Sequence, residues 1–282
     1  MKSKDKAVIK VNSKDLVKGY KQMLVHSAKS SFKPILTTVN HIVKDNKLIL
    51  ESTDAHTLGK LTLDCIRDQD TEFAVPRKVI QAVAKLKNKE LTEEKIILEY
   101  SNNEVKYIVN GSEFINTKTE KNYPNIDKIF PKVSNERNII FNIRELKEFT
   151  KHVKEDGYSI KNNDVYKSTS SIKRINLRMH NNKLEVRYEF KDEATNEKIF
   201  KQAKVDCTVT DGFDNDFNVY INTFLLEKHI NKFLTGNKRI ILKFSEKNPI
   251  SRRREHEVPI VIGYDNQENY VGILCPLRTE FA

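Results

Sequence analysis

The sequence predicts an α+β fold of two tandem domains, each a duplicated unit of a strand, a helix and further strands, with two helices packed on antiparallel sheets. Four short amphipathic helices are predicted to begin near residues 13, 76, 142 and 222. Between them lie runs rich in β-branched and aromatic residues, bounded by turn residues, which indicate strands. The helices recur at intervals of about 60 to 80 residues, which indicates an internal repeat.

Each predicted helix has an apolar face and a basic face. Steps of three and four residues place side chains on one side of a helix. The apolar faces contain Leu16, Val17, Tyr20 and Leu24; Val79, Ile80, Val83 and Leu86; Leu146, Phe149 and Val153; and Leu226, Ile230 and Phe233. The opposite faces contain Lys14, Lys18 and Lys21; Lys78, Gln81, Lys85 and Lys89; Arg144, Lys147, Lys151 and Lys154; and Lys228 and Lys232.

Turn residues divide the strand-rich stretches between the helices. Polar turns at residues 45–47, 93–95, 181–183 and 236–238 each precede a short apolar run, so each predicts a hairpin-like restart of a strand. A longer polar stretch at 131–137 is the predicted seam between the two domains. The predicted domains are therefore residues 1–134 and 135–282.

The chain is strongly basic. Fifty lysines and arginines against 39 acidic residues give a net charge of +11, which favours a polyanionic partner, nucleic acid first. A biased composition rich in lysine and asparagine explains the net charge equally well. It does not explain why the lysines fall on one face of each predicted helix. Lys29 and Lys33 join the stripes as predicted DNA-binding residues. The arginines at 252–254 are either a phosphate contact or a solvated loop tip.

No catalytic motif is present in the sequence. It has only eight glycines and no phosphate-binding glycine loop, and its histidines form no acid–base or metal-ligand pattern. We therefore expect no enzyme activity, no cofactor and no metal. The widely spaced Cys65, Cys207 and Cys275 predict mostly buried thiols. No apolar run approaches the roughly 20 residues that span a bilayer, and residues 1–6 resemble no signal peptide, so we expect a cytoplasmic, nucleoid-associated protein.

Three separated segments resemble one known family. They are LILESTDAHTLGK at 48–60, YPNIDKIFP at 123–131 and YVGILCPLR at 270–278. In this order they resemble the beta subunit of bacterial DNA polymerase III, the beta sliding clamp. The segments FAVPRK at 73–78 and FNVYINTFLL at 217–226 support the resemblance. The similarity covers the second and third domains of the family, so the chain looks like a clamp shortened to two domains.

The resemblance implies a function. Sliding clamps of this family encircle double-stranded DNA without sequence specificity and tether a polymerase, with their helices facing the DNA. A ring of six domains would need three copies of a two-domain chain, so a head-to-tail homotrimer is expected. The implied partners are double-stranded DNA and peptides of DNA polymerase and the clamp loader. A phage, plasmid or other mobile element is the expected origin.

The resemblance also implies a hydrophobic peptide-binding cleft between the two domains. Ala55, Thr57 and Cys275 differ from the family pattern of glycine, arginine and methionine, which suggests an altered peptide preference. Ordinary packing between the domains is the alternative role for these residues. The implied cleft residues are Leu36, Thr53, Ala55, His56, Thr57, Leu58, Pro124, Lys128, Ile129, Cys275, Pro276, Leu277 and Arg278.

Two other functions stay open at this point. The first is a binding module with the clamp fold that keeps the peptide cleft but does not encircle DNA. The second is a nucleic-acid-processing enzyme such as a nuclease. The sequence disfavours the enzyme because it contains no carboxylate cluster that would hold a pair of metal ions.

Overall fold

A computed structural model describes residues 6–120, 122–159, 174–191, 198–230, 238–245 and 258–277. Within these ranges, the side chains of residues 134, 135, 152, 154–159, 189–191 and 198–201 are left undescribed. The chain divides into two compact units. The first contains Met1–Asn125 and Asn269–Gly272, and the second contains Ile126–Glu268 and Ile273–Ala282.

The first unit repeats one pattern of elements, a strand, a helix and three strands. This internal duplication confirms the predicted architecture. Its first half consists of β1 (Lys6–Asn12), α1 (Ser13–His26), β2 (Thr38–Lys44), β3 (Lys47–Thr53) and β4 (Thr57–Arg67). Its second half consists of β5 (Thr71–Pro76), α2 (Arg77–Ala84), β6 (Lys95–Ser101), β7 (Glu104–Val109) and β8 (Ser112–Lys118).

Strand β4 belongs to both sheets of the first unit. One sheet has the order β5-β2-β3-β4 and the other has the order β4-β1-β6-β7-β8, all antiparallel. The N-terminal part of β4 pairs with β3, where Leu58 lies opposite Thr53. Its C-terminal part pairs with β1, where Cys65 lies opposite Val11.

Helix α1 begins at a side-chain cap and packs closely on β3 and β4. The Asn12 side chain accepts hydrogen bonds from the backbone N–H groups of Lys14 and Asp15, at 3.1 and 3.2 Å. Gly19 allows the close approach, because a Cβ there would lie 2.8 Å from Leu61 Cδ2. The buried face of α1 therefore packs directly against β3 and β4.

The second unit has the same order of elements. It contains β9 (Val133–Asn142), α3 (Ile143–Ser159), β10 (Arg174–His180), β11 (Lys183–Lys191), β12 (Lys198–Ala203), β13 (Cys207–Val209), β14 (Asn218–Asn222), α4 (Thr223–Ile230), β15 (Arg239–Ser245) and β16 (Ile260–Tyr264). The last strand, β17 (Tyr270–Leu274), has its first three residues in the first unit and its last two in the second. The sheets of the second unit have the orders β12-β11-β10-β14 and β13-β9-β15-β16-β17. By position in this order, β12 and β13 correspond to β4, and β17 corresponds to β8.

Two of the four predicted strand restarts are hairpin turns. Asp45 and Asn46 have φ angles of 51° and 56°, and Asn181 and Asn182 have 50° and 57°, the left-handed pair that a tight two-residue turn requires. At residues 93–95 a strand restarts as predicted, because β6 begins at Lys95, but the turn does not form a hairpin. Strand β6 pairs with β1 instead, and the carbonyl of Glu94 accepts a hydrogen bond from Ser13 N at 2.7 Å. Residues 236 and 237 lie outside the described part of the chain.

The segment 131–137 is not a turn-rich seam, because strand β9 begins within it at Val133. Arg137, which made the segment look polar, is buried. Its Nε donates to Gly212 O at 2.9 Å and its Nη1 donates to Ser245 O at 2.6 Å. Hydrogen bonds to carbonyls thus allow this charged residue to lie inside the second unit. The boundary between residues 134 and 135 stays a prediction, while the compact units divide between Asn125 and Ile126.

Candidate nucleic-acid interface and peptide-binding residues

Helix α1 presents the clearest basic surface. Lys14, Lys18 and Lys21 are exposed. The opposite side of the same helix buries Leu16 and Tyr20 completely. Three lysine side chains therefore lie on the solvent side of one helix, as the periodicity predicted. The buried face of α1 contains none of them.

The second helix is shorter than its lysine spacing suggested. Lys78 is exposed on α2, but the helix ends at Ala84, so Lys85 is its C-terminal cap and Lys89 lies in a separate 3₁₀ turn at Asn88–Glu90. Arg77 holds the start of α2 against the end of α1, since its Nη1 donates to Leu24 O and Ser27 O at 2.6 and 2.7 Å. Burial lowers the pKa of this guanidinium.

The loop after α1 adds two lysines and an aromatic residue that the sequence analysis did not single out. Lys29 and Lys33 are exposed. Phe32 lies between them and is fully exposed. The alternation of basic and aromatic residues was the available signal, since such a pattern is typical of nucleic-acid-binding loops.

Fewer of the predicted basic residues of the second unit are shown to be exposed. Arg144, Lys147 and Lys151 are exposed on α3, and the side chain of Lys154 is not among those described. On α4, Lys228 is only partly exposed, and the outward position is instead taken by Phe224, which is 51% exposed. Lys232 and the arginines at 252–254 lie outside the described residues. Exposed basic residues therefore lie on α1 and α3, while α2 itself carries only Lys78.

The turn from β3 to β4 brings four predicted peptide-binding residues together: Thr53, Ala55, His56 and Thr57. Thr53 Oγ1 donates to Thr57 O at 2.8 Å and accepts from Ala55 N at 3.1 Å. Asp54, which the sequence analysis did not select, organises the turn. Its Oδ1 accepts from His56 N at 3.0 Å, from Thr57 N at 2.8 Å and from Thr57 Oγ1 at 3.1 Å.

The backbone of this turn explains the family's preference for glycine. Ala55 has a φ angle of +73°, in the left-handed region that favours glycine. The side chains of Ala55 and His56 are exposed, while Thr57 and Leu58 are buried. Thr57 and Leu58 therefore support the turn, and Ala55 and His56 are available to a ligand.

The remaining predicted cleft residues lie at several places in the two units. In the first unit, Leu36 is partly exposed in the 3₁₀ turn Pro34–Thr37, and Pro124 is exposed. In the second unit, Lys128 and Ile129 are exposed in the 3₁₀ turn Ile126–Ile129.

The C-terminal cleft residues are held by backbone pairing in the second unit. Cys275, Pro276 and Leu277 are partly exposed, and Leu277 N donates to Tyr220 O at 2.8 Å. Arg278 lies beyond the described residues. The prediction of mostly buried thiols is wrong for two of the three cysteines, because Cys65 is buried whereas Cys207 and Cys275 are partly exposed.

Neither a metal-ligand cluster nor a membrane-spanning helix is present among the described residues. Among them, no group of three histidine, cysteine, aspartate or glutamate side chains is arranged to hold a metal ion. In the same part of the chain, no helix is both long and apolar enough to cross a membrane.

The first unit is similar in sequence to a known family. Residues 10–125 match the sequence model of the DNA polymerase III beta subunit, central domain. Beta sliding clamps of Staphylococcus aureus and Staphylococcus epidermidis are 31% identical to the chain over 104 residues. That match covers 36% of this chain and 27% of the relatives, so it spans about a quarter of their length.

Comparison with solved structures extends the likeness to both units. The DNA polymerase III beta subunit of Thermotoga maritima has a TM-score of 0.74 at 16% identity, covering 96% of this chain and 65% of that protein. The sliding clamp of Bacillus subtilis has a TM-score of 0.72 at 17% identity, covering 96% and 64%. These comparisons confirm the resemblance to the beta subunit and the predicted fold of two tandem clamp domains.

Proposed function

Because residues 10–125 match the central domain of the DNA polymerase III beta subunit and both units have the clamp fold, we propose that this protein is a DNA sliding clamp. It encircles duplex DNA without reading the sequence and tethers a polymerase. The protein performs no chemical step in this role. In this role the protein is cytoplasmic and is associated with the nucleoid through DNA.

The exposed basic residues on α1, α2 and α3 support the DNA-binding role most directly. Lysine suits a surface that must slide, because its charge sits on a flexible stem and makes few directional demands. Contacts to phosphate carry no sequence information, so they attract the duplex without fixing a register. The side chains on this surface are Lys14, Lys18, Lys21, Lys78, Arg144, Lys147 and Lys151.

The open sheet edges support self-association. Among the described residues, β8 has β7 as its only neighbour, and β13 has β9 as its only neighbour. An unpaired strand edge is a template for another strand. The first unit contains hydrogen bonds by which the backbone of a strand holds another segment. There Thr62 of β4 donates its N–H to Asn269 O, and Asn269 Nδ2 donates to Thr62 O, both at 2.9 Å.

The corresponding pairing between copies is β8 of one molecule against β12–β13 of the next. In the order of elements β12–β13 correspond to β4, so they offer the partner edge for β8. The two edges differ, so the association is head to tail and closes into a ring when the rotation permits. Three copies of this two-unit chain supply six clamp domains, which makes a homotrimer the expected assembly.

The peptide-binding residues support a second role, as a docking site for polymerases and clamp loaders. Ala55, His56, Pro124, Ile129 and Leu277 each expose part of their side chains. Short peptides are typically bound by apolar residues of this kind with a few polar groups that fix the orientation. A non-encircling module with the same fold would keep this docking role and lose the ring.

Mass and topology measurements test the proposal together. Light scattering at increasing concentration should approach three times the 32.9 kDa chain mass. After loading, the protein should remain on closed circular DNA and leave once the circle is cut. A strict monomer that binds partner peptides would instead support the non-encircling module, and equal retention on linear and circular DNA would contradict encirclement.

A further inference from the structure

The loop between α1 and β2 holds an aromatic ring in solvent. Phe32 has a relative exposure of 108%. This is more than twice the exposure of Phe224, which at 51% is the next most exposed phenylalanine among the described residues. The ring of Phe32 therefore contributes no packing to the folded unit, and its whole apolar surface is available to a ligand.

Hydrogen bonds hold the backbone on both sides of this ring. Ala28 N donates to Leu36 O at 2.9 Å, which closes the loop at its base. Leu36 N donates to Lys33 O at 3.0 Å, and Lys33 N donates to Ser31 Oγ at 3.1 Å. Phe32 therefore lies at the tip of a loop whose backbone is already ordered. A ligand that binds the ring loses little affinity to further ordering of this loop.

The charge along the loop is positive. Lys29 and Lys33 lie on either side of Phe32 in the sequence, and both are exposed. Residues 27–37 contain these two lysines and no acidic residue. Neither ammonium group forms an ion pair with a residue that the structure describes. An exposed ring between two uncompensated positive charges favours a ligand that combines negative charge with a flat apolar face.

A nucleotide whose base is unpaired has this combination. Its phosphates carry the negative charge, and its base offers a flat face on which an aromatic side chain stacks. In a duplex each base already stacks on its neighbours, and exposing a face costs unstacking energy, which an unpaired base does not require. An acidic peptide would satisfy the lysines but would leave the ring of Phe32 without a flat partner. The loop therefore suits single-stranded DNA better than duplex DNA or an acidic peptide.

We propose that this loop binds single-stranded DNA, with Phe32 stacked on an unpaired base and with Lys29 and Lys33 on the adjacent phosphates. The site goes beyond the duplex contacts of α1, α2 and α3, which need only phosphate. Stacking reads no sequence, because every base has a flat face. Unpaired bases occur where a duplex gives way to a single strand, so the loop holds the protein at such a junction. The site requires neither a closed ring nor the peptide cleft.

Fluorescence anisotropy with the full chain and two labelled strands tests the proposal. The first strand is a short oligothymidine, and the second has abasic residues throughout, which keep every phosphate and remove every base. The wild type should bind oligothymidine about fivefold or more tightly than the abasic strand. Phe32→Leu keeps the charge and loses the ring, so it should remove this difference without changing the salt dependence. Lys29→Gln with Lys33→Gln should lower the slope of log affinity against log salt by about 1 to 1.5.

A matched variant and a duplex probe complete the test. Phe114→Leu removes a ring that is 42% exposed on β8, next to Glu113 instead of a lysine, and should bind oligothymidine as the wild type does. Phe32→Leu should also keep its affinity for a blunt duplex. Failure of the protein to stay on circular DNA would contradict encirclement and leave these affinities unchanged. Oligothymidine binding by Phe32→Leu as tight as in the wild type, or equal loss in Phe114→Leu, would overturn the proposal.

Discussion

The hydroxyl oxygen of Tyr20 lies 2.7 Å from Nε2 of His41, inside the first unit. The other ring nitrogen, Nδ1, lies 3.0 Å from the carbonyl oxygen of Val39. Because a carbonyl only accepts, Nδ1 carries the proton, and Nε2 accepts from the Tyr20 hydroxyl. The Tyr107 hydroxyl, 2.9 Å away, completes the chain as a donor to Tyr20. The network therefore needs a neutral imidazole.

Acid should destabilise the protein through His41. Burial lowers the pKa of His41 from 6.5 to about 3. Between these values the unfolded chain binds a proton that the folded chain does not, so stability falls as the pH falls. The contribution of this residue is at most about 1.4 kcal/mol per pH unit. Urea unfolding between pH 7 and pH 5 measures the slope.

Two histidine variants separate this effect from general acid sensitivity. His41→Gln should flatten the dependence of the unfolding free energy on pH between 7 and 5. His56→Gln, at an exposed position of the same unit, should leave the wild-type slope. Identical slopes in wild type and His41→Gln would show that His41 does not cause the dependence.

Ala55→Gly should stabilise the protein. The φ angle of +73° at Ala55 strains a residue with a Cβ by about 1 kcal/mol or more. Glycine removes that strain, and the extra freedom of the unfolded chain offsets part of the gain, leaving about 0.5 kcal/mol. Ala82→Gly, inside α2, should destabilise by about 1 kcal/mol. Denaturant midpoints of the two variants that move in the same direction would contradict the assignment of strain.

Reversing the charges on α1 should weaken DNA binding. Changing Lys14, Lys18 and Lys21 to Glu removes three proposed phosphate contacts and adds repulsion. The affinity for duplex DNA should fall at least tenfold, and the slope of log affinity against log salt should decrease by about 2 to 3. Fluorescence anisotropy over a salt series measures both.

A matched triple variant controls for net charge. Lys6, Lys10 and Lys44 are exposed on β1 and β2, and changing them to Glu alters the total charge equally. This variant should keep most of the salt slope. An equal effect of the two triple variants would mean that DNA responds to net charge alone.

Leu277→Asp should remove peptide binding without unfolding the protein. The backbone N–H of Leu277 pairs with Tyr220 O at 2.8 Å, so the substitution keeps that hydrogen bond and places a charge on the proposed apolar surface. A labelled clamp-binding peptide of a DNA polymerase should bind at least tenfold more weakly. Ile66→Asp, at an apolar residue that is 55% exposed on β4, should bind it normally. Retained affinity in Leu277→Asp would exclude this residue from the cleft.

Phe114→Glu should weaken self-association. Phe114 is 42% exposed on the edge strand β8. Pairing of β8 with a strand of another copy would bury this apolar ring. The dissociation constant of the assembly should rise at least tenfold by analytical ultracentrifugation. Phe224→Glu changes a ring on α4 that is 51% exposed, and this variant should assemble as wild type. An unchanged assembly in Phe114→Glu would place the interface elsewhere.

The helix faces were predictable because burial follows the helical period, as Leu16 and Tyr20 illustrate. Strand β8 was not predicted, because an edge strand such as Ser112–Lys118 is mostly polar and lacks the apolar signal of a buried strand. The position of Lys85 just beyond α2 depends on where the helix ends, which its lysine spacing did not reveal.

The sequence also predicts some of the candidate sites and not others. The turn at Thr53 was recognisable because its residues are consecutive. A cavity lined by Asn40, Glu72, Tyr100 and Glu120 was not, because these residues come from separate segments whose alignment depends on strand register. Sequence spacing carries no information about such a meeting of distant strands.

The eleven-residue strand β4 also affects how the first unit loses its structure. It pairs with β3 along one part and with β1 along the next, so neither sheet can come apart without releasing the strand that holds the other. Hydrogen exchange in β3 and in β1 should therefore proceed through one shared opening reaction, and the unit should behave as a single cooperative element.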